Sequence, residues 1–239
     1  MRSSAGLREF LDARCLDRGD ETFLLFRGAR WSYAQLALIT DGAAAAFARE
    51  GFQRGDRVAL LMPNGPDLIF AWLALAKLGA VTAPIHPQFT MVEVAAALTY
   101  LEPKAVLADS TLADKITRTP PGCRVIGPGL REILDCRDAL TGVTAPRADD
   151  PADILMTSGT TGHPKGVVQT HRTHVITGEA FAAWLGLNAQ DRLFTCLPLS
   201  HINARAYSTM GALAAGASLA VEERFSASRF WRWMAESGA

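Results

Sequence analysis

The chain has 239 residues, with 24 Lys and Arg against 24 Asp and Glu and a hydrophobic content of 49%. That length buries a sizeable core in one or two domains. Zero formal charge leaves no electrostatic footprint for nucleic acid or an anionic membrane, and the longest apolar runs, 68–76 and 211–221, are too short to span a bilayer.

Residues 1–9 hold no apolar run of a secretory signal, so a cytoplasmic location is expected. Helical spacing over 7–15 precedes a strand-like 22–26 and a turn at Gly28-Ala29. Ser32 suits the N-cap of an Ala-rich helix running to Glu50. The continuous apolar run 57–62, stopped by Pro63, reads as a strand buried on both faces. A strongly apolar helix follows over 67–78, with Gly79 placed as its terminator, and then a strand at 81–85. Thr90 caps a helix through Tyr100, and 105–109 and 124–126 read as further strands. The stretch 119–150, punctuated by Pro120-Pro121-Gly122, Gly127-Pro128-Gly129 and Pro146, reads as loop-rich. Beyond it come strands at 153–157 and 167–170, a helix over 173–185, and a strand at 192–197 ended by Pro198. A small-residue helix over 206–216, a strand at 217–221 and an amphipathic helix over 226–236 complete the chain. The alternation predicts an α/β fold, mainly parallel sheets flanked by helices. The expected division places a first α/β subdomain with its loop-rich connection at 1–150 and part of a second subdomain at 151–239.

Between the strands at 153–157 and 167–170 lies Ser158-Gly159-Thr160-Thr161-Gly162-His163-Pro164-Lys165-Gly166. Glycines let the backbone approach an anion, and successive amides then form a concave nest. Hydroxyls add donors, and Lys165 adds a point charge for phosphate oxygens. A plain hairpin turn would need neither the lysine nor so many hydroxyls. Pro164 stands where a Walker A loop requires glycine, which disfavours a kinase or NTPase loop, and no G-x-G-x-x-G follows a strand. Ser158–Gly166 is therefore read as a phosphate-binding loop.

These residues, from Leu155 to Gly166, closely resemble the signature loop of the adenylate-forming ligases, which include acyl-CoA synthetases, luciferases and peptide-synthetase adenylation domains. Trp31-Ser32-Tyr33-Ala34-Gln35-Leu36, Gly55 to Asn64, and Lys77-Leu78-Gly79-Ala80-Val81-Thr82-Ala83-Pro84-Ile85 resemble further family segments in the same order. Leu197-Pro198-Leu199-Ser200-His201 is similar to a segment of the acyl-CoA synthetase branch. The resemblance implies a ligase that activates a small carboxylic acid with ATP and Mg²⁺ and passes the acyl group to coenzyme A. Its cofactor-binding residues would be Thr157, Ser158, Gly159, Thr160, Thr161, Gly162 and Lys165. Thr157 would touch the metal, and Lys165 and His201 would serve catalysis, His201 as a gate or orienting group.

The same resemblance implies that an adenine-binding motif, a ribose-binding Asp, a hinge and a small C-terminal catalytic domain lie beyond these residues. The chain is thus expected to be a truncated N-terminal part, inactive alone, completed by a missing C-terminal half or partner chain. The alternatives are a non-catalytic binding or interaction module of the same fold, or one half of a split ligase.

Other residues receive plainer readings. His171 and His174 are read as surface or packing groups, and His86 as lacking a visible partner. Trp184, Trp231 and Trp233 fall at helical core spacing. Arg205, in the 202–207 stretch that relatives use for the acyl pocket, is read as a surface cation, with a substrate carboxylate as its alternative partner. Cys15, Cys123, Cys136 and Cys196 form no C-x-x-C pair and are read as structural thiols.

Overall fold

The computed structural model describes residues 6–157 and 165–239. The chain opens with α1 (Leu7–Arg18), the hairpin β1 (Thr22–Phe26) and β2 (Ala29–Ser32), and α2 (Tyr33–Arg49). Ser32 begins α2 through a reciprocal cap: its hydroxyl accepts from the Gln35 N–H at 3.2 Å, and its own N–H donates to Gln35 Oε1 at 2.8 Å. Next come β3 (Arg57–Leu61), α3 (Pro66–Leu78), β4 (Val81–Pro84), α4 (Met91–Leu101) and β5 (Ala105–Ala108). Gly79 ends α3 in the left-handed region (φ 81°), as a glycine terminator does. Beyond a 3₁₀ turn lie β6 (Arg124–Ile126), the short α5 (Leu130–Leu134), β7 (Pro151–Thr157), β8 (Lys165–Thr170) and α6 (His171–Leu185). The chain continues through β9 (Arg192–Thr195), a π-helical segment (Asn203–Thr209), α7 (Met210–Ala215), β10 (Ser218–Val221) and α8 (Phe230–Ser237).

Two sheets organise these elements. One has the order β6-β5-β3-β4-β7-β8, parallel throughout except for β8, which returns antiparallel to β7. The other has the order β2-β1-β10-β9, parallel except for β2. Each sheet draws strands from both sides of residue 150, so sheet membership does not follow a division at that point. In β3, Val58 and Leu60 face one core with α2, α3 and the smaller sheet, while Ala59 and Leu61 face another with α4. That alternation explains the unbroken apolar run: both faces of the strand are covered. The fold is thus α/β with mainly parallel sheets flanked by helices, as expected.

Three expectations are corrected. Residues 29–32 form a strand, because the turn at Arg27-Gly28 lets them pair back onto β1. Residues 203–209 are π-helical, with Thr209 Oγ1 donating to the Ala204 carbonyl at 2.8 Å. Trp184 and Trp231 are not core residues; they are 82% and 77% exposed. Helical spacing identifies a common face, but α8 buries none of its residues among those described; it only leans on the smaller sheet, with Phe230 edge-on to Phe194 at 5.6 Å between ring centroids. All four cysteines are free, with Cys15 and Cys196 buried. No described helix is long and apolar enough to cross a membrane.

Candidate functional site

The larger sheet winds from β3 to its neighbour β4 and then crosses back to β5 on the other side of β3. The carboxyl ends of β3 and β4 therefore flank a switch point, where open α/β sheets form their ligand crevice. Asn64 follows β3 there, and His86 follows β4. β7 runs parallel beside β4, so Thr157 emerges at the same edge.

Ser158, Gly159, Thr160, Thr161 and Gly162, with His163 and Pro164, lie outside the described residues. Thr157 pairs with Lys165 and Met156 with Gly166 in the β7–β8 ladder, so the loop leaves and returns at one register. Thr157 Oγ1 donates to the Lys165 carbonyl at 3.3 Å, and the Gly166 N–H donates to Tyr100 Oη at 3.0 Å. A Cβ on Gly166 would stand 2.7 Å from Ile154 Cγ2 and 3.2 Å from the Tyr100 ring, so only glycine fits this approach. The Thr157 and Lys165 side chains are exposed at the mouth.

His201 lies in a turn after β9, closed by its own N–H donating to the Pro198 carbonyl at 3.0 Å. Asn64 holds that turn: Nδ2 donates to the Leu197 carbonyl, and Oδ1 accepts from the Leu199 N–H, each at 2.8 Å. The imidazoles of His201 and His86 approach to 5.4 Å between centroids. His86 therefore does have a partner, a correction its sequence neighbours could not reveal because the two residues meet only when the sheets pack. Its Nδ1 accepts from the Gln88 N–H at 3.1 Å, which leaves the ring proton of the neutral form on Nε2. Burial, then the neighbouring His201 and Lys115, push its pKa below the ordinary histidine value.

Behind the edge sits a fully buried ionic cluster. Asp153 Oδ1 accepts from Arg205 Nη1 at 2.5 Å and from the Thr82 hydroxyl, while Oδ2 lies 2.8 Å from His174 Nε2. The Arg205 guanidinium lies over the Trp72 ring at 4.4 Å. Burial alone would raise the Asp153 pKa, but the Arg205 charge and the His174 and Thr82 contacts outweigh it and hold the group ionised. Arg205 is thus not a surface cation, and His171 and His174 are buried packing groups with no surface exposure. The partners of Arg205 come from distant strands, which a reading of its own segment does not reach.

The AMP-binding enzyme model matches residues 11–239, almost the whole chain. The chain belongs to the AMP-binding enzyme family. It is 32% identical to the crotonobetaine/carnitine–CoA ligase of Salmonella paratyphi A, over 94% of this chain and 48% of that protein. It is 30% identical to the medium/long-chain-fatty-acid–CoA ligase FadD6 of Mycobacterium tuberculosis, over 96% of this chain and 40% of that protein. The chain therefore spans about half the length of the curated relatives it matches. Among solved structures it resembles the inhibitor-bound N-terminal domain of FACL13 from Mycobacterium tuberculosis, with a TM-score of 0.85 and 30% identity, over 97% of this chain and 61% of that one. The relatives are acyl-CoA ligases, and the fold is that of the N-terminal domains of adenylate-forming enzymes.

The motifs point to Thr157, Lys165 and His201, whereas Asn64, Tyr100, His86 and Asp153, which hold or contact the same segments, carry no such signal in their own stretches. Asn64 closes the Gly55–Asn64 segment, where nothing shows that its amide spans two sheets.

Proposed function

We propose that the chain serves ATP-dependent activation of a small carboxylic acid. The carboxylate attacks the α-phosphorus of ATP and pyrophosphate leaves. The thiol of coenzyme A then attacks the acyl carbon of the adenylate, and AMP leaves. The observation that carries this reading is the β7–β8 hairpin, which sets Lys165 opposite Thr157 at the carboxyl edge of a doubly wound sheet. Such chemistry asks mainly for positioning and charge stabilisation. Ser158, Gly159, Thr160, Thr161 and Gly162 would wrap the β- and γ-phosphates with amide and hydroxyl donors. Lys165 would neutralise charge as pyrophosphate leaves. His201 would orient the acyl group and gate the thiol.

The residues fit the metal that accompanies ATP. Thr157 spends only its hydroxyl proton on the Lys165 carbonyl and keeps its lone pairs for a hard cation. Among the described residues no three His, Cys, Asp or Glu side chains group to hold a metal, so Mg²⁺ would rest on Thr157 and phosphate oxygens, where it supplies charge neutralisation. The names of the relatives support a carboxylic acid and coenzyme A as the other substrates, with the rest of the family's length supplied by further chain or a partner.

The test has two arms. The 239-residue chain is expected to bind magnesium pyrophosphate by calorimetry, and Lys165→Ala to weaken that binding by about tenfold, roughly 1.4 kcal/mol. Carboxylate-dependent ATP–pyrophosphate exchange across straight-chain, aryl and betaine-type acids is expected only once the remaining half is supplied. Steady ATP hydrolysis without any acid, or pyrophosphate binding indifferent to Lys165→Ala, would overturn the reading.

A further inference from the structure

Arg205 is buried completely, yet it is poorly explained by stability. A buried ion pair is often matched or bettered by apolar residues of similar volume. Here one guanidinium nitrogen, Nη2, has no hydrogen-bond partner among the described residues. A residue selected for stability alone would not leave a donor unsatisfied. The other nitrogens reach specific places. Nη1 donates to Asp153 at 2.5 Å and to Thr82 Oγ1 at 3.2 Å, joining β7 to β4. Nε donates to the Leu199 carbonyl at 2.7 Å. Leu199 is therefore gripped at both backbone groups, its N–H by Asn64 and its carbonyl by Arg205. His201 follows two residues later in the same turn, and Thr157 follows Asp153 in the same strand.

We propose that Arg205 is a positioning residue: with Asn64 it clamps the turn that presents His201, and through Asp153 it locks that turn to the strand entering the phosphate loop. The role assigned to His201 rests on the function proposed above; the clamp itself does not. A lysine cannot replace the fork, because a single ammonium on a flexible stem lacks the fixed geometry that serves Asp153, Thr82 and Leu199 together.

The experiment follows the ring-proton resonances of His86 and His201 against pH in the 239-residue chain, alongside thermal unfolding. Lys115 and Glu93 are the other charged groups acting on His86, and they stay unchanged in every variant. Arg205→Lys is expected to fold but to release Leu199. The paired imidazoles should then separate, moving the His86 and His201 ring resonances and carrying the His86 titration up toward the ordinary histidine value as its burial and its His201 neighbour are both lost. The double variant Asp153→Leu with Arg205→Met is expected to keep the wild-type melting temperature or exceed it, yet to show the same shift. Asn64→Ala, which loosens Leu199 from the other side, should move the same resonances. A merely structural arginine would let the double variant restore both stability and titration. Unchanged resonances in Arg205→Lys or in the folded double variant would overturn the clamp. None of these readouts uses ATP, so their failure rejects the clamp alone. Normal shifts with no pyrophosphate binding would instead reject the proposed function.

Discussion

Lys77 shows how one residue's surroundings decide the cost of changing it. Its ammonium is 1% exposed and lies 2.6 Å from both Asp12 and Asp41, so α1, α2 and α3 meet on a single charge. Each aspartate is itself 39–47% exposed, so water screens the carboxylates while the amine depends on them. Removing one carboxylate leaves the other in place. Asp12→Asn and Asp41→Asn are each expected to cost about 1 kcal/mol or less, as for partly exposed pairs. The double variant strands a buried cation, a change that costs about 3–5 kcal/mol. Urea unfolding of both singles and the double tests this, and a double-mutant cost equal to the sum of the singles would contradict it. The lysine was visible in the Lys77-Leu78-Gly79-Ala80 segment, but its carboxylates lie 65 and 36 residues away along the chain, where no local pattern links them.

At the scale of elements, α6 and α7 interlock through two glycines. A Cβ on Gly178 would stand 2.6 Å from the Met210 carbonyl oxygen, and one on Gly211 would stand 2.7 Å from Phe181 Cδ1. Gly178→Ala gains roughly 0.5–1 kcal/mol of helix propensity, but the neighbour it meets is backbone and cannot swing aside. Overpacking costs about 1–3 kcal/mol, so the net change is expected to be destabilising, seen as a lower urea midpoint at unchanged slope. A midpoint at or above wild type would show that the helices can part without penalty. Elements that carry their own punctuation were legible: Ser32 and Thr90 cap their helices, and Gly79 ends α3, as their residue types require. The π-helical segment 203–209 was not: it carries no punctuation of its own, and its Arg205 pairs with a carboxylate 52 residues earlier. For the candidate site, the residues presented to solvent, Thr157, Lys165 and His201, were legible from the motif. Their supports, Asn64, Arg205 and Asp153, act across sheets and look ordinary in their own segments.

At the scale of the whole molecule, every strand but β2 was readable one by one, but their assignment to two sheets was not. β1 pairs with β10 at Leu24 and Leu219, strands almost 200 residues apart in the chain that no local pattern links. His171 stands in that packed interior, fully buried at the start of α6. Burial, with the adjacent His174, lowers its pKa from the ordinary 6.5 to about 4, although Asp150 and Asp153 oppose the shift. The fold therefore holds the imidazole neutral, while the unfolded chain protonates it near the ordinary value. Between pH 6.5 and about 4 the unfolded state binds the extra proton, so stability must fall as pH falls through that window and level off, for this group, below it. The depressed Asp149, Asp150 and Asp153 add losses in the same direction but at more acid pH, below the ordinary carboxylate value. The His171 shift, from 6.5 to about 4, corresponds to about 3 kcal/mol. The free energy of urea unfolding, measured at half-unit steps from pH 7.5 to 3.5, should show this slope. His171→Asn should flatten it between pH 6.5 and 4 while leaving the steeper loss below pH 4 in place. A slope unchanged by that substitution would mean that His171 keeps access to solvent protons in the folded chain.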